Sequence, residues 1–422
     1  MTKRKRRKLK KNVKYTILLI IILIFGIIFL KDKKEEPTIL NQTEILLKKE
    51  THLNQTKNST DTTIKTGWEE IIVKYLDLYY KSLIGLETKD TTKLFTNPKG
   101  TEAHFINSAI DLIVYHHKIQ PNNMLLTKAK YNIEYTNVSI EDNIVTINFL
   151  VDDYINFKYL NDIESKEIDV EYEMKLRKEN DKYTIDSIRV VQGNFVMFTN
   201  ELDISTTSIK EIDKLKQKYI KLIDEDLKEN NELMSTANEE KYETFIECDH
   251  GYDRNKAVEY AKKHVDYRNP NYIAYDDVGG NCQNYVSQSI HAGGVPMDTK
   301  GDYQWKHYGD EVNEKNEKKG RSTSWTGTIN FYDYAKAENK SGMCTDVDEN
   351  IFYAEPGDVA HVGYNGFSHA VIVVKEIFDE NNKKIDFLIN SNTASLENYP
   401  FMAYVYPNKR IIKVLGYNDW FK

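Results

Sequence analysis

From Trp68 onward the chain carries a helical beat of apolar positions: Trp68, Ile71, Ile72, Tyr75, Leu76, Tyr79 and Leu83 recur three and four apart. A second helix is expected over about 101–118, ended by Gln120-Pro121-Asn122. The period then falls to two. Ala129, Tyr131, Ile133 and Tyr135 alternate with polar residues, and a strand over 144–151 follows the turn Glu141-Asp142-Asn143. Ile168, Val170, Tyr172, Met174 and Leu176 alternate strictly, and a further strand over 183–191 follows Glu179-Asn180-Asp181. Helices followed by an antiparallel meander predict an α+β domain at 67–199. Its pair His116-His117 has no acid or cysteine at ligand spacing and reads as a helix end meeting solvent. Residues 200–247 are charged, with Ile209, Ile212, Leu215, Tyr219, Leu222 and Ile223 at near-heptad spacing, which predicts a helical spacer or a helix packing on one of its neighbours.

The last segment, 248–422, holds the candidate chemistry. Asp253 is placed to cap a helix bearing Ala257, Val258, Tyr260, Ala261, His264 and Val265, which stops before Asn269-Pro270. Gly279-Gly280 then gives an open turn, and the sequence after it runs as a helix that begins at Cys282. Free backbone N–H groups and the positive end of the helix dipole favour a thiolate there. Downstream, Glu355-Pro356-Gly357-Asp358 feeds a strand over 359–363, and Asn365-Gly366 marks a hairpin. The return strand runs over 368–374 and a third strand over 385–392. His369 opens the return strand at the cleft edge and is the expected general base for Cys282; His361 on the preceding strand competes with it. Asn392, ending the third strand, is the expected third member orienting the imidazole, with Asn390 in reserve. The backbone N–H of Cys282 is one expected oxyanion donor. Taken singly, such a cysteine is more often a small buried hydrophobe, and Trp305 and Trp325 are more often core than a substrate platform.

Charge divides the chain. Residues 1–14 hold nine Lys/Arg and no acid, so the remainder carries a net charge of −16 and offers no nucleic-acid footprint. The apolar run over 16–30, bounded by Lys14 and Lys31, predicts a transmembrane anchor at 15–30. The positive-inside rule then makes 1–14 a cytoplasmic tail on the plasma membrane and puts everything after Leu30 outside. Residues 31–66 read as a flexible tether. If Cys282 is a free nucleophile, Cys248 and Cys344 are left to pair in an oxidising compartment; three free thiols is the other reading, and both stay open. No His/Cys/Asp cluster has ligand spacing, so no metal and no cofactor are implied.

The motifs Tyr252-Asp253-Arg254-Asn255-Lys256-Ala257-Val258-Glu259-Tyr260-Ala261 and Gly279-Gly280-Asn281-Cys282-Gln283-Asn284-Tyr285-Val286-Ser287-Gln288 resemble the bacterial putative amidase domain family. Asn269-Pro270-Asn271-Tyr272, Ala292-Gly293-Gly294, Trp305, Ser324-Trp325, Pro356-Gly357-Asp358 and Ser368-His369-Ala370 match it in order, over about 250–418. The family is grouped with papain-like thiol hydrolases, related to NlpC-type and CHAP-type cell-wall enzymes. The resemblance therefore implies Cys282 as nucleophile and favours His369 over His361. Asn281 and Gln283 depart mildly from the commoner residues beside the cysteine, and Ser391-Asn392-Thr393 replaces a Ser-His-Thr-like stretch, which weakens Asn392. The 67–199 layout is similar to the cone-shaped nuclear-transport-factor-like fold.

The resulting expectation is an α+β protein with an N-terminal membrane helix, a cone-like middle domain and a papain-like C-terminal domain. Its expected function is a membrane-anchored extracellular cysteine amidase or peptidase. It would cut amide bonds of cell-wall peptidoglycan, in the peptide or at the muramyl amide, through a thioacyl-enzyme. Two alternatives stand: a catalytically inactive wall-binding or assembly module, and a transpeptidase-like enzyme in which an amine resolves the thioester.

Overall fold

The structure is a computed structural model and describes residues 67–276, 279–299, 304–307, 321–337, 342–393 and 395–419. The apolar beat forms α1 (Gly67–Gly85) and α2 (Thr101–Ile119), which bury Ile72, Tyr75, Leu76, Phe105, Ile106 and Ile110. The period-two segment forms an antiparallel meander of β1 (Leu126–Glu141), β2 (Ile144–Phe157), β3 (Ser165–Glu179) and β4 (Lys182–Val191). Its turns put Asp142, Asn180 and Asp181 at φ of 54°, 48° and 61°, a region that short polar side chains tolerate. A short α3 (Gly193–Thr199) and a long α4 (Ile209–Glu239) follow.

The α4 helix starts on a capping box, Ser208 with Glu211. It packs on its neighbours. Asp224 accepts a hydrogen bond from Tyr115 of α2 at 2.6 Å, and Asp226 pairs with Lys409 of the C-terminal segment at 2.5 Å.

After β5 (His250–Gly251) come α5 (Arg254–Lys263), α6 (Cys282–Ala292), α7 (Thr328–Lys336) and β6 (Gly342–Val347). Then follow β7 (Val359–Gly363), β8 (His369–Phe378), β9 (Lys384–Ser391), β10 (Ser395–Pro400) and β11 (Asn408–Asn418). The strands join the meander in one eleven-stranded sheet ordered β1-β2-β3-β10-β9-β8-β7-β11-β5, with β4 on β3 and β6 on β11. The junction is short: Ser395, Leu396 and Glu397 pair with Ile168, Glu167 and Lys166. Strand β3 therefore forks. Its later half pairs with β4 and its start pairs with β10, which leaves a gap beside Glu167.

The fold class is α+β on a large antiparallel sheet, and the expected N-terminal membrane helix is corrected. Among the described residues no helix is long and apolar enough to cross a membrane. At 31 residues α4 has the length, but Lys210, Glu211, Asp213 and Lys214 open a charged surface that continues along it. The expected tail, span and tether at 1–66 lie outside the described residues. The solvent reading of His116-His117 is also overturned. Both rings are buried: His116 meets Gln120 at 3.1 Å and His117 lies against Phe157 at the end of β2.

Several motif residues turn out to hold the C-terminal fold together. Arg254 reaches Asp358 Oδ1 at 2.7 Å and donates to the carbonyls of Pro356 and Val414. Lys413 Nζ lies 3.2 Å from Asp358 Oδ2, and both side chains are 0% exposed. Tyr252 donates to Gly357 O at 3.0 Å, and a Cβ on Gly293 would come within 2.3 Å of its ring, so only glycine lets the tyrosine lie there. Cys248 and Cys344 form a disulfide, leaving Cys282 as the free cysteine.

Candidate active site

Gly279 and Gly280 both take positive φ, 98° and 103°, a conformation that side chains resist, and α6 begins two residues later at Cys282. Every residue from Cys282 to Ile290 is buried, so the helix needs internal partners for its polar groups. They are present. Trp325 donates its indole N–H to Asn284 at 2.8 Å, Trp305 donates to Ser287 at 3.0 Å, and Tyr260 donates to Gln288 at 2.6 Å. The two tryptophan rings meet at 4.6 Å, tilted by 35°, and are wholly buried, so they are core behind the site.

His369 begins β8, and the backbone N–H of the next residue, Ala370, favours the charged form of the Cys282 thiol. His369 Nε2 lies 3.1 Å from Ser391 Oγ, the last residue of β9. That hydroxyl has one hydrogen and a second acceptor in reach, Thr393 O at 3.3 Å; with the hydrogen placed there it accepts from His369 Nε2–H, and the lone pair of the ring falls on Nδ1. Asn392 does not orient this ring. Its Oδ1 accepts from Asn281 Nδ2 at 3.2 Å, and Asn390 Oδ1 accepts from Asn398 N at 2.8 Å. Strand parity explains the difference: Ile372 opposes Asn390, so Ser391 falls on the alternate face with Val371 and His369.

The end of β9 thus reaches three ways. Ser391 holds the imidazole, Asn392 holds the Asn281 side chain, and Thr393 accepts the Asn281 N–H at 2.6 Å. The competing His361 is wholly buried on β7. It bonds Gln283 Oε1 at 3.0 Å and the Arg410 guanidinium at 3.2 Å, and it packs against Phe331. Both its ring nitrogens are engaged, which leaves no lone pair for a thiol.

Burial dominates the electrostatics. It pushes the Cys282 thiol above its ordinary value, against hydrogen bonds from the N–H groups of Ala370, Gln283 and Cys282 and from Thr328. It pulls His369 down to about 4. Both shifts favour uncharged forms, so the resting pair is thiol and neutral imidazole. The preformed thiolate suggested by the helix dipole is outweighed by desolvation.

Tyr404 approaches His369 edge-on at 6.3 Å, is 4% exposed, and its hydroxyl has no hydrogen-bond partner. His369 and Tyr404 line a cavity of about 210 Å³ whose far wall is Glu167, Gln192 and Asn194 from the meander and the turn after it. Sequence reasoning missed Ser391, Thr328, Tyr404 and this wall. Only Ser391 had a usable signal, through register. Among the described residues no group of three or more His, Cys, Asp or Glu is arranged to hold a metal ion.

Residues 251–415 match the family model described as "Putative amidase domain". This part of the chain carries the domain that the family model describes. A 148-residue stretch is 32% identical to "Uncharacterized protein YhbB" of Bacillus subtilis (strain 168), covering 34% of this chain and 42% of that protein. The chain thus spans less than half the length of that curated relative. No solved structure matches.

Proposed function

We propose that residues 251–415 work as a cysteine amidase or peptidase with a papain-like division of labour. Cys282 Sγ attacks the amide carbonyl carbon while its proton passes to His369 Nδ1. The backbone N–H of Cys282 donates to the oxyanion. The tetrahedral adduct then breaks its C–N bond, His369 returns the proton to the departing amine, and a thioester remains on Cys282. Water attacks that thioester, gives its proton to the imidazole and expels the thiol, regenerating the resting pair. Ser391 holds the ring through Nε2 in both charge states.

The observation that carries this reading is the Ser391–His369 bond at 3.1 Å, which in the Nε2–H tautomer leaves Nδ1 basic, together with Cys282 at a helix start. The Cys248–Cys344 bond is in keeping with an oxidising compartment, so the substrate class we favour is extracytoplasmic, cell-wall peptide.

The test is fragment analysis by mass spectrometry after incubating the full chain with purified peptidoglycan and with short peptide amides. Wild type is expected to release amide-cleavage products, and Cys282→Ala to lose at least ~10³-fold in rate. Cleavage that survives Cys282→Ala would sink the mechanism. Because free His369 protonates near pH 4, the acid limb of kcat/KM is expected there and not near 6.5. Below it the imidazole is charged and cannot take the thiol proton.

A further inference from the structure

The cavity beside His369 has a feature that amide chemistry does not use. Glu167 is 8% exposed, and among the described residues its two oxygens accept only from Gln192 Nε2, at 3.1 and 3.4 Å. Behind it, in a smaller void with shared walls, Asp153 accepts from Tyr80. Among the described residues no Lys, Arg or His forms an ion pair with either carboxylate. The neighbouring Lys166 turns instead to Glu397 at 2.6 Å. His117 lines the same void, but its ring nitrogens bond nothing and burial holds it at about 4, so it supplies no positive charge near neutral pH. Buried carboxylates are ordinarily paired with a cation or neutralised. Burial pushes both Asp153 and Glu167 up, Glu167 to about 7, so near neutral pH Glu167 takes its charge readily once a cation lies beside it.

The fold presents that acid to the site. Glu167 sits at the fork of β3, opposite Leu396, where β4 and β10 diverge. Asn194 clamps the facing loop, donating to Ala403 O at 3.1 Å and accepting from Val405 N at 3.2 Å. The residue held between those two bonds is Tyr404, with its unpartnered hydroxyl. Tyr399 and Tyr406 complete an aromatic wall.

We propose that this cavity is an ammonium-binding subsite, in which Glu167 and the Tyr404 hydroxyl receive a primary amine of the substrate whose amide is presented to Cys282. An ammonium group has three hydrogens to place and a charge to neutralise. Two Glu167 oxygens and the Tyr404 oxygen supply three acceptors, and tyrosine faces favour a cation. A volume of about 210 Å³ suits one terminal residue or one amine-bearing side chain, and not a passing chain. The walls outside 251–415 would then set which amides the family domain cuts. The placement relative to Cys282 rests on the amidase reading; the amine site itself does not.

Calorimetry on the full chain carrying Cys282→Ala separates the two. The probes are trialanine amide, its N-acetyl form, and Nα-acetyl-lysine amide, which distinguish a terminal from a side-chain amine. At least one amine probe is expected to bind about tenfold or more tighter than N-acetyl-trialanine amide. Adding Glu167→Gln, which keeps an acceptor for Gln192, should abolish the preference, and adding Tyr404→Phe should reduce it about threefold. Thermal melts of each variant establish folding, and Tyr404→Phe reads the same cavity if Glu167→Gln does not fold. Equal binding of acetylated and free probes, binding by none, or a preference intact in both variants would overturn the subsite. Turnover by wild type is scored separately. A chain that prefers amines but cleaves nothing refutes the amidase reading alone, and one that cleaves acetylated and free peptides equally refutes the subsite alone.

Discussion

Asp358 and Glu167 are both buried carboxylates beside one sheet, and their surroundings are opposite. Asp358 lies before β7 and meets Arg254 at 2.7 Å, Lys413 at 3.2 Å and the Val414 N–H at 3.0 Å. Glu167, on β3, meets one neutral amide. Arg254 and Asp358 come from the motifs shared with the amidase family, whereas Glu167 lies outside the matched residues. A carboxylate that the fold itself neutralises is architecture. One that the fold leaves without a cation, facing a cavity at the candidate nucleophile's base, is available to a ligand. The contrast assigns much of the Tyr-x-Arg and Pro-Gly-Asp motifs to holding the domain together, and directs attention for specificity to the preceding meander.

The largest effect should come from breaking the paired site. Asp358→Asn leaves Lys413 buried with only the half-exposed Glu355, at 3.1 Å, to answer its charge. Removing one partner of a buried pair typically costs about 3–5 kcal/mol. Urea unfolding of wild type and variant measures it. A loss below about 1 kcal/mol would mean that Asp358 is no more essential to the fold than Glu167, and the contrast would fail.

Much of this molecule could be read from its residues. Period and turn chemistry gave the meander, and Gly279-Gly280 followed by a helical run placed Cys282 at a helix start. Asn365-Gly366 gave the hairpin that opens β8 with His369. What could not be read was non-local. Alternation tells which residues share a face but not which strands become neighbours, so nothing in 166–168 announces pairing with 395–397, and the cavity exists only because of that junction. Asn392 was chosen by residue type, and Ser391 holds the ring because register, set by a hairpin with two irregularities, puts it on the proper face. His116-His117 ends a helix with no acid or cysteine at ligand spacing, which suggests solvent; its burial is non-local, with His117 against Phe157.

A second experiment inverts the first. Burial raises Glu167, so the folded state holds a proton that the unfolded chain, with an ordinary carboxyl near 4.3, releases. Its contribution is therefore full below about pH 4 and lost as pH rises through the raised folded value. Glu167→Gln cannot titrate and also relieves the repulsion that helps raise Asp153. The variant is expected to match wild type near pH 4 and to exceed it by about 1–3 kcal/mol near pH 8. Asp386, pushed up to about 7 by its own burial, bends both stability curves alike and drops out of the difference. Urea midpoints across pH decide the matter. A flat difference, or a loss at pH 8, would show that Glu167 is already stably paired and not reserved for a substrate amine.

The smallest expected effect concerns a third, part-buried pair, Ser391 with His369, in which neither partner is charged at rest. Ser391→Ala removes one neutral hydrogen bond, so stability should move by about 1 kcal/mol or less. The imidazole loses the acceptor that fixes its proton on Nε2, and a fraction of rings will carry it on Nδ1 instead, where it blocks the transfer from Cys282. A fall of about tenfold in kcat with KM little changed is expected, matching roughly 1.4 kcal/mol in the barrier. The hydroxyl also supports the imidazolium, so its removal should shift the acid limb of kcat/KM to lower pH, and Ser391→Thr should restore most of both. A purely structural serine would lower the melting point and leave that limb in place. Full activity in Ser391→Ala would instead return the orienting role to a group not bonded to the ring in this structure.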